Sequence, residues 1–312
     1  HNVAHRGQQV AEDVGPHDGL TKHHIEVLGD LVALELARGG KQNFASHNKP
    51  PENPSYRTTP AVGLFGYNPP NMKVALFVTC LADQFFADAG VAAVRLLRHL
   101  GCTVEFPSGQ TCCGQPAYNA GYWAQARQVA DHTLDVLEEA EYVVLPSGSC
   151  TAMLRNFYPE LYRDRPKMFT RADALSRKTY ELAEFIVKVL GVSQLGQGLQ
   201  GKRIAYHHGC HALRELGIRQ EPLTLLRGSG AELVDWVAAE ECCGFGGLFS
   251  VKLPEVALGM ADRKLSTLPP GQIDFLTSAD GGCMLHLMGR MQNQNLNLPV
   301  RPLATVLWEA VG

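Results

Sequence analysis

The sequence contains no apolar run approaching the roughly 18 residues that a membrane-spanning helix needs, so no helical membrane span is expected. Neither sign of charge dominates. Against 31 Asp and Glu stand 28 Lys and Arg, a formal net charge of −3, which argues against nucleic acid or an anionic membrane surface as an electrostatic partner. The N-terminus lacks the basic stretch and apolar core of a signal peptide, and a cytoplasmic location is the expectation. No Gly-x-Gly-x-x-Gly follows a strand, so a Rossmann-type nicotinamide or flavin site has no support. The ferredoxin run C-x2-C-x2-C is missing too. Cysteine itself is not scarce. Nine of them, with no export signal, favour metal or redox chemistry over structural disulfides.

Eight of the nine obey one rule. Cys80, the adjacent pair Cys112-Cys113 and Cys150 recur as Cys210, Cys242-Cys243 and Cys283. The first three positions are offset by 130 residues and the fourth by 133, and 31 residues separate each lone cysteine from its pair. Glycine follows both pairs, as Gly114 and Gly244. This pattern implies an internal duplication with two four-thiol sites. Cys102, outside the rule, reads as a buried apolar residue.

The chain divides accordingly. Residues 1–71 hold six of the twelve histidines and a Pro/Asn-rich stretch, and are expected to form a loosely ordered extension with one amphipathic candidate helix over 25–37. Irregular histidine spacing there makes a metal site the minor reading. From Met72 strand and helix alternate. Strands are predicted at 73–79, 103–106 and 142–145, then again at 203–206, 233–236 and 275–277, each leading into a cysteine segment. Helices are predicted at 91–100 and 122–140, and each half closes on a similar helix, from Leu182 and from Leu303. The expected fold is α/β: two tandem pseudo-symmetric domains, 72–198 and 199–312, each with a small, mostly parallel sheet flanked by helices. Cysteines just past strand ends then share the rim where open α/β sheets place their sites.

Three chemistries compete for such quartets. Structural zinc prefers C-x2-C pairs that aim two sulfurs at one ion. Adjacent side chains in extended backbone point apart, which suits the separated irons of a cluster better. Disulfides are the third option, in an oxidising compartment. Gly114, and Gly244, Gly246 and Gly247 in ECCGFGG, are candidate cofactor-binding positions, because glycine lets backbone amides approach sulfur and disperse its charge.

FVTC, CCGQPAYNAGY, PSGSC, ECCGFGGLFSVK and DGGC together resemble the CCG, or cysteine-rich, domain proteins, and within them the lactate utilization protein A group of iron-sulfur oxidoreductases, a group related to one of the subunits of heterodisulfide reductase. The resemblance runs from Met72 to the C-terminus. It implies iron-sulfur clusters, of the 4Fe-4S type, at one or both quartets, and a redox subunit of a cytoplasmic system oxidising L-lactate, a small 2-hydroxy acid, to pyruvate. A ferredoxin-like iron-sulfur subunit and a third lactate-utilization subunit are the implied partners. Related enzymes acting on glycolate, glycerol phosphate or a disulfide, and a zinc-stabilised assembly subunit without catalysis, are the alternatives. Heterodisulfide reductase relatives carry a fifth cysteine per motif, where this chain has Met153 and His286, so a five-thiolate noncubane cluster is not expected.

Histidine can take the proton of a 2-hydroxyl group. His207 and His211, flanking Cys210 in YHHGCHAL and matching histidines of the family pattern, are the candidate catalytic residues, against the plainer roles of hydrogen bonding to a cluster or packing at a strand end. Lys252 and Arg290 are candidates for a substrate carboxylate, with solvated surface charge as the competing reading. Tyr118 and Asn119 sit near the first pair without an assignable role.

Overall fold

The structure, a computed structural model, describes residues 72–269 and 271–312. The expected N-terminal extension, its candidate helix and its six histidines lie outside these residues. Four strands form the first sheet: β1 (Lys73–Leu76), β2 (Thr103–Glu105), β3 (Tyr142–Leu145) and β4 (Thr179–Glu181), all parallel, in the order β2-β1-β3-β4. The second sheet, β5 (Arg203–Tyr206), β6 (Glu232–Leu233), β7 (Phe275–Ser278) and β8 (Val300–Pro302), repeats that order as β6-β5-β7-β8, again all parallel. The α/β duplication expected from the cysteine spacing is the architecture observed.

In both sheets the chain leaves the central strand, crosses to one side, and returns past it to the other. The order therefore reverses between β1 and β3, and between β5 and β7, and crevices at such reversals are where open sheets bind ligands.

Alternation along the strands sorts the core into layers. Val74, Leu76 and Val78 face a core shared by both halves, whereas Ala75 and Phe77 face a core private to the first. Ile204 and Tyr206 join the shared core, while Ala205 joins a private core in the second half. The shared core is closed by reciprocal helix contacts. Helix α1 (Ala87–His99), which follows β1, packs on α2 (Leu303–Glu309), the closing helix of the second half. The helix after β5 (Gln220–Gly228) packs on the first half's closing segment, Leu182–Glu184 and the π-helical turn Phe185–Val189. The halves thus meet as the two sides of a pseudo-twofold interface. Burial of Leu96, Leu97, Phe185 and Leu307, each essentially inaccessible, contributes on the order of 1.5–3 kcal/mol per side chain.

Two strands end earlier than their apolar runs. β1 stops at Leu76 because the buried Gln110 side chain takes over as partner, accepting the Val78 N–H (3.0 Å) and donating to the Leu76 carbonyl (2.8 Å). β6 stops at Leu233. The chain then turns so that the Trp236 indole can donate to the Tyr206 carbonyl (3.0 Å). The first departure lies just before Cys80, and the second just before the Cys242-Cys243 pair.

Candidate metal centres

The first quartet is assembled from three strand ends. Cys80 opens the helix Cys80–Phe85, whose N-terminus is capped by Thr79 Oγ1 accepting the Ala82 N–H (3.2 Å). Cys150 lies in the helix Gly148–Ala152, where the Ser147 hydroxyl accepts the N–H of Cys150 itself (3.4 Å). Cys112 and Cys113 occupy the loop after β2, in contact with each other, and each also meets a different lone cysteine. Cys112 Sγ lies 3.7 Å from Cys80 Sγ, and Cys113 Sγ lies 3.3 Å from Cys150 Sγ. The loop is pinned from behind by Gln115, which donates to the Ser149 carbonyl (2.9 Å), and by the Tyr158 hydroxyl, which donates to the Cys113 carbonyl (3.0 Å).

The second quartet repeats the plan. Cys242 touches Cys210 and Cys243, and Cys243 in turn touches Cys283. The amides donate as the glycine pattern predicts at one position in each loop: Gly114 N–H to Cys112 Sγ and Gly244 N–H to Cys242 Sγ, both at 3.5 Å. Phe245 adds an amide to Cys243 Sγ at 3.4 Å that residue type did not advertise. Gly246 and Gly247 instead shape the turn, their carbonyls accepting the Phe249 N–H (3.4 Å) and the Ser250 hydroxyl (2.8 Å).

Negative charge settles on one sulfur per quartet. Cys112 is held down at about 3 by contacts from the Cys113 and Cys80 thiols, with the Gly114 amide adding to them. Cys242 is held down at about 2 by Cys210 and Cys243, again with its glycine amide. Their neighbours move the other way: Cys80 and Cys210 are raised by the thiolate beside them and by burial. Polarised, partly buried thiols ringed by amides are what a cationic iron centre requires of its ligands. The donor set fits an iron-sulfur cluster: four thiols lie in a contiguous row in each domain, with the adjacent pair at the centre and a lone cysteine at each end.

Both halves match the family model described as Cysteine-rich domain, over residues 74–155 and 204–288. The chain belongs to this family. Each matched stretch begins in the central strand and ends just past the fourth cysteine, so all eight paired cysteines fall within the cysteine-rich domains. Among curated proteins the chain is 47% identical over 237 residues to Lactate utilization protein A of Bacillus velezensis, covering 76% of this chain and 99% of that protein. Over the same length and shares it is 46% identical to Lactate utilization protein A of a Geobacillus species (strain WCH70) and 45% identical to that of Bacillus subtilis.

Within the second cysteine-rich domain, His207 is fully buried and neither ring nitrogen has a partner among the described residues. A ring nitrogen of His207 and the sulfurs of Cys243 and Cys283 all lie within 4.8 Å of one another. Burial, helped by the Lys264 charge, pushes the His207 imidazole down to about 3, so the neutral ring faces the quartet. His211 is placed differently. It begins the π-helical turn His211–Glu215 and packs edge-on against Phe157 of the first domain, its Nδ1 unpartnered. The two histidines therefore have different surroundings, one at sulfur and one at the domain interface.

His286 is half-buried on the helix Gly281–Asn293, its Nε2 3.2 Å from the Ala257 carbonyl, and Met153 is fully buried in the private core of the first domain. Arg290 is engaged by both carboxylate oxygens of Asp262, through Nε to Oδ1 and from its terminal nitrogen to Oδ2 (2.8 Å), which leaves Lys252, exposed at the end of a short helix, as the freer cation of the two. Tyr118 stacks between Trp123 and Phe157. Cys102 is buried in the shared core, as expected.

Two residues at these sites escape sequence reasoning. Asp280, inside DGGC, accepts the Ser149 N–H across the domain interface at 2.7 Å. Lys264 is fully buried below the second cysteine pair. A signal for both is present in the sequence: aligned at the fourth cysteine Asp280 falls on Ser147, and aligned on the buried alanines of the two helices (Ala126 and Ala130, Ala257 and Ala261) Lys264 falls on Thr133, so each marks a place where the duplication changes chemical character.

Proposed function

We propose that the chain is an iron-sulfur redox subunit of a cytoplasmic system that oxidises L-lactate to pyruvate, holding clusters of the 4Fe-4S type at Cys80, Cys112, Cys113 and Cys150 and at Cys210, Cys242, Cys243 and Cys283. The observation that carries this reading is the repeated geometry of the quartets: four thiols at a strand-order reversal, an adjacent pair whose members each meet a different lone cysteine, and a glycine amide on one sulfur. Relatives at 45–47% identity named for lactate utilization supply the substrate class. When bound, an iron-sulfur cluster supplies one-electron oxidation and reduction. The protein's own part is to hold sulfur in an amide-lined rim and to bury the private core behind it. A ferredoxin-like subunit and a third subunit of the same system are the proposed partners, and the domain limits proposed are 72–198 and 199–312.

A zinc site is the second reading, favoured at the second quartet by the His207–Cys243–Cys283 grouping, since mixed histidine and cysteine sets are common zinc ligands. Metal analysis of anaerobically purified full-length protein separates the two. The redox reading expects brown protein with about four irons per quartet, half of it lost in Cys113→Ser and half in Cys243→Ser. Colourless protein that takes up no iron on reconstitution, or that carries stoichiometric zinc alone, overturns it.

A further inference from the structure

The two quartets stand on unlike foundations. Matched between the domains, the buried residues behind the first quartet are Phe77, in the private apolar core, and Thr133, whose hydroxyl donates to the Val129 carbonyl of its own helix (3.0 Å). At the same places behind the second quartet are His207 and Lys264, each fully inaccessible to solvent. A buried lysine and a buried histidine in place of a threonine and a phenylalanine are costly unless the site uses them.

Lys264 is held in a way that keeps it a cation. It rises from the helix Pro254–Leu265, and its ammonium donates to the carbonyls of Ala238, Ala239 (3.3 Å) and Glu241 (2.9 Å), while sitting 4.4 Å from the centre of the Trp236 ring. Three acceptors for three N–H groups satisfy the charged form. Those carbonyls belong to the segment that delivers Cys242 and Cys243, so the charge lies directly behind the pair. Burial lowers this ammonium to about 8, while the sulfurs of Cys243, Cys283 and Cys242 pull it back up. His207 adds polar ring nitrogens on the same side, within 4.8 Å of Cys243 and Cys283.

Resting on the iron-sulfur reading above, we propose that the second quartet is poised at a higher reduction potential than the first, with Lys264 as the residue that sets the difference and His207 supporting it. The effect is electrostatic. A cluster on four thiolates becomes one unit more negative on reduction, and a buried cation stabilises that extra charge far more than solvent-screened charges do. Hydrogen bonds donated toward cluster sulfur act in the same direction. Thr133 and Phe77 offer the first quartet neither, since neither is a cation and the Thr133 hydroxyl donates to a carbonyl of its own helix. Asp280 works against the effect, since its carboxylate lies near Cys210. Its Oδ1 faces the first domain, however, where it accepts the Ser149 amide beside Cys150, so its charge burdens both quartets. The exposed pair Arg263–Glu241 is screened by solvent and contributes little.

The test is a potentiometric titration of the iron-loaded full chain, followed by EPR. The wild type is expected to show two reduction steps. The upper step should survive in Cys80→Ser/Cys113→Ser, which removes the first quartet, and vanish in Cys210→Ser/Cys243→Ser. In Lys264→Met the upper step should move down by at least tenfold in the reduced-to-oxidised ratio, about 59 mV for a one-electron couple. Lys264→Gln, which keeps some hydrogen bonding without the charge, should do the same. A purely structural clamp would change stability or iron content and leave the potential of the retained cluster where it was. Two steps that coincide, an upper step that follows the first quartet, or variants that retain the wild-type potential each overturn the proposal while leaving iron binding intact. Should both lysine variants fail to load, the assignment of the upper step in wild type still decides. Protein without iron in any form instead overturns the iron-sulfur reading itself.

Discussion

Ser147 and Asp280 hold the same position in the two domains, three residues before Cys150 and Cys283, and they meet: the Ser147 hydroxyl donates to Asp280 Oδ1 at 3.4 Å. The duplication is broken where its copies touch. Ser147 caps its own helix, whereas Asp280 leaves the helix Gly281–Asn293 without a side-chain cap and accepts the Ser149 N–H of the other domain at 2.7 Å. Gly209 permits this, because a Cβ there would fall 1.7 Å from Asp280 Oδ2. One carboxylate thus links the turn before Cys150 to the turn before Cys283.

Asp280→Ala should lower the unfolding free energy of the metal-free protein by about 1–2 kcal/mol, the usual effect of deleting a buried cap and orphaning its amide. Urea unfolding of Asp280→Ala beside wild type measures it. Because the bond is inter-domain, the loss should also make the two domains less cooperative, visible as a broader transition. An unchanged midpoint and slope would show that the cross-domain cap is not what joins them.

Glu181 makes stability depend on pH in the direction opposite to most carboxylates. Its Oε2 caps the closing segment of the first domain, accepting the N–H groups of Ala183 (2.8 Å) and Glu184 (3.1 Å), while Oε1 has no partner among the described residues and the residue lines an inter-domain cavity of about 20 Å³. Burial pushes its carboxyl up to about 8, with the Glu184 and Asp280 charges adding to the rise against the two amides. The unfolded chain ionises near 4.5, so the folded state retains a proton that the unfolded state loses. Stability from this group is full below about 4.5, declines as pH rises, and levels off above about 8, by up to about 5 kcal/mol in all. Glu181→Gln should remove that slope, as melting temperatures between pH 5 and pH 9 would reveal.

The repeat carries most of the fold. Cysteine offsets and strand-ending apolar runs locate six of the eight strands among the described residues; β1, β3, β5 and β7, buried along most of their length, carry the apolar runs, whereas the edge strands β2 and β6 are found through the repeat. β4 and β8, three residues each, read as the approach to the closing helices, since Thr179–Glu181 and Val300–Pro302 carry no such run. The quartets are legible in spacing alone. What spacing does not encode is the layer behind them. Lys264 lies on an amphipathic helix among alanines and leucines, and only the structure shows its ammonium turned inward onto three carbonyls. Asp280 reads as part of a glycine turn, and its partner Ser149 is 131 residues away.

His207→Phe, which gives the second domain the residue of the first, separates a structural histidine from one held for metal. Among the described residues both ring nitrogens are buried without partners, an arrangement that costs about 1–3 kcal/mol. The variant should therefore be at least as stable as wild type without metal. If the ring serves the quartet, iron retained at the second site should fall while the first site keeps its own, giving roughly half the wild-type iron per chain after gel filtration. Lower stability together with full iron content would make His207 a packing residue.

Gly244 and Gly114 are equivalent in sequence and unequal in space. Both have left-handed backbone, φ +91° and +81°, which costs about 1–3 kcal/mol for any other residue. At Gly114 an added Cβ would meet the Val129 side chain at 3.3 Å, which a small rotation relieves. At Gly244 it would meet the Ala257 carbonyl oxygen at 2.5 Å, and that oxygen belongs to a helix that cannot retreat without moving Lys264 on the same element. Gly114→Ala should therefore cost about the backbone strain alone and retain most of its iron. Gly244→Ala carries the clash as well, and because its N–H is the donor to Cys242 Sγ, the shift should spoil the ligand rim together with the fold around it. Urea midpoints and iron content of the two variants, compared side by side, measure the asymmetry. Equal losses in both would mean that the loops, and not the helix behind Gly244, determine how tightly each cysteine pair is held.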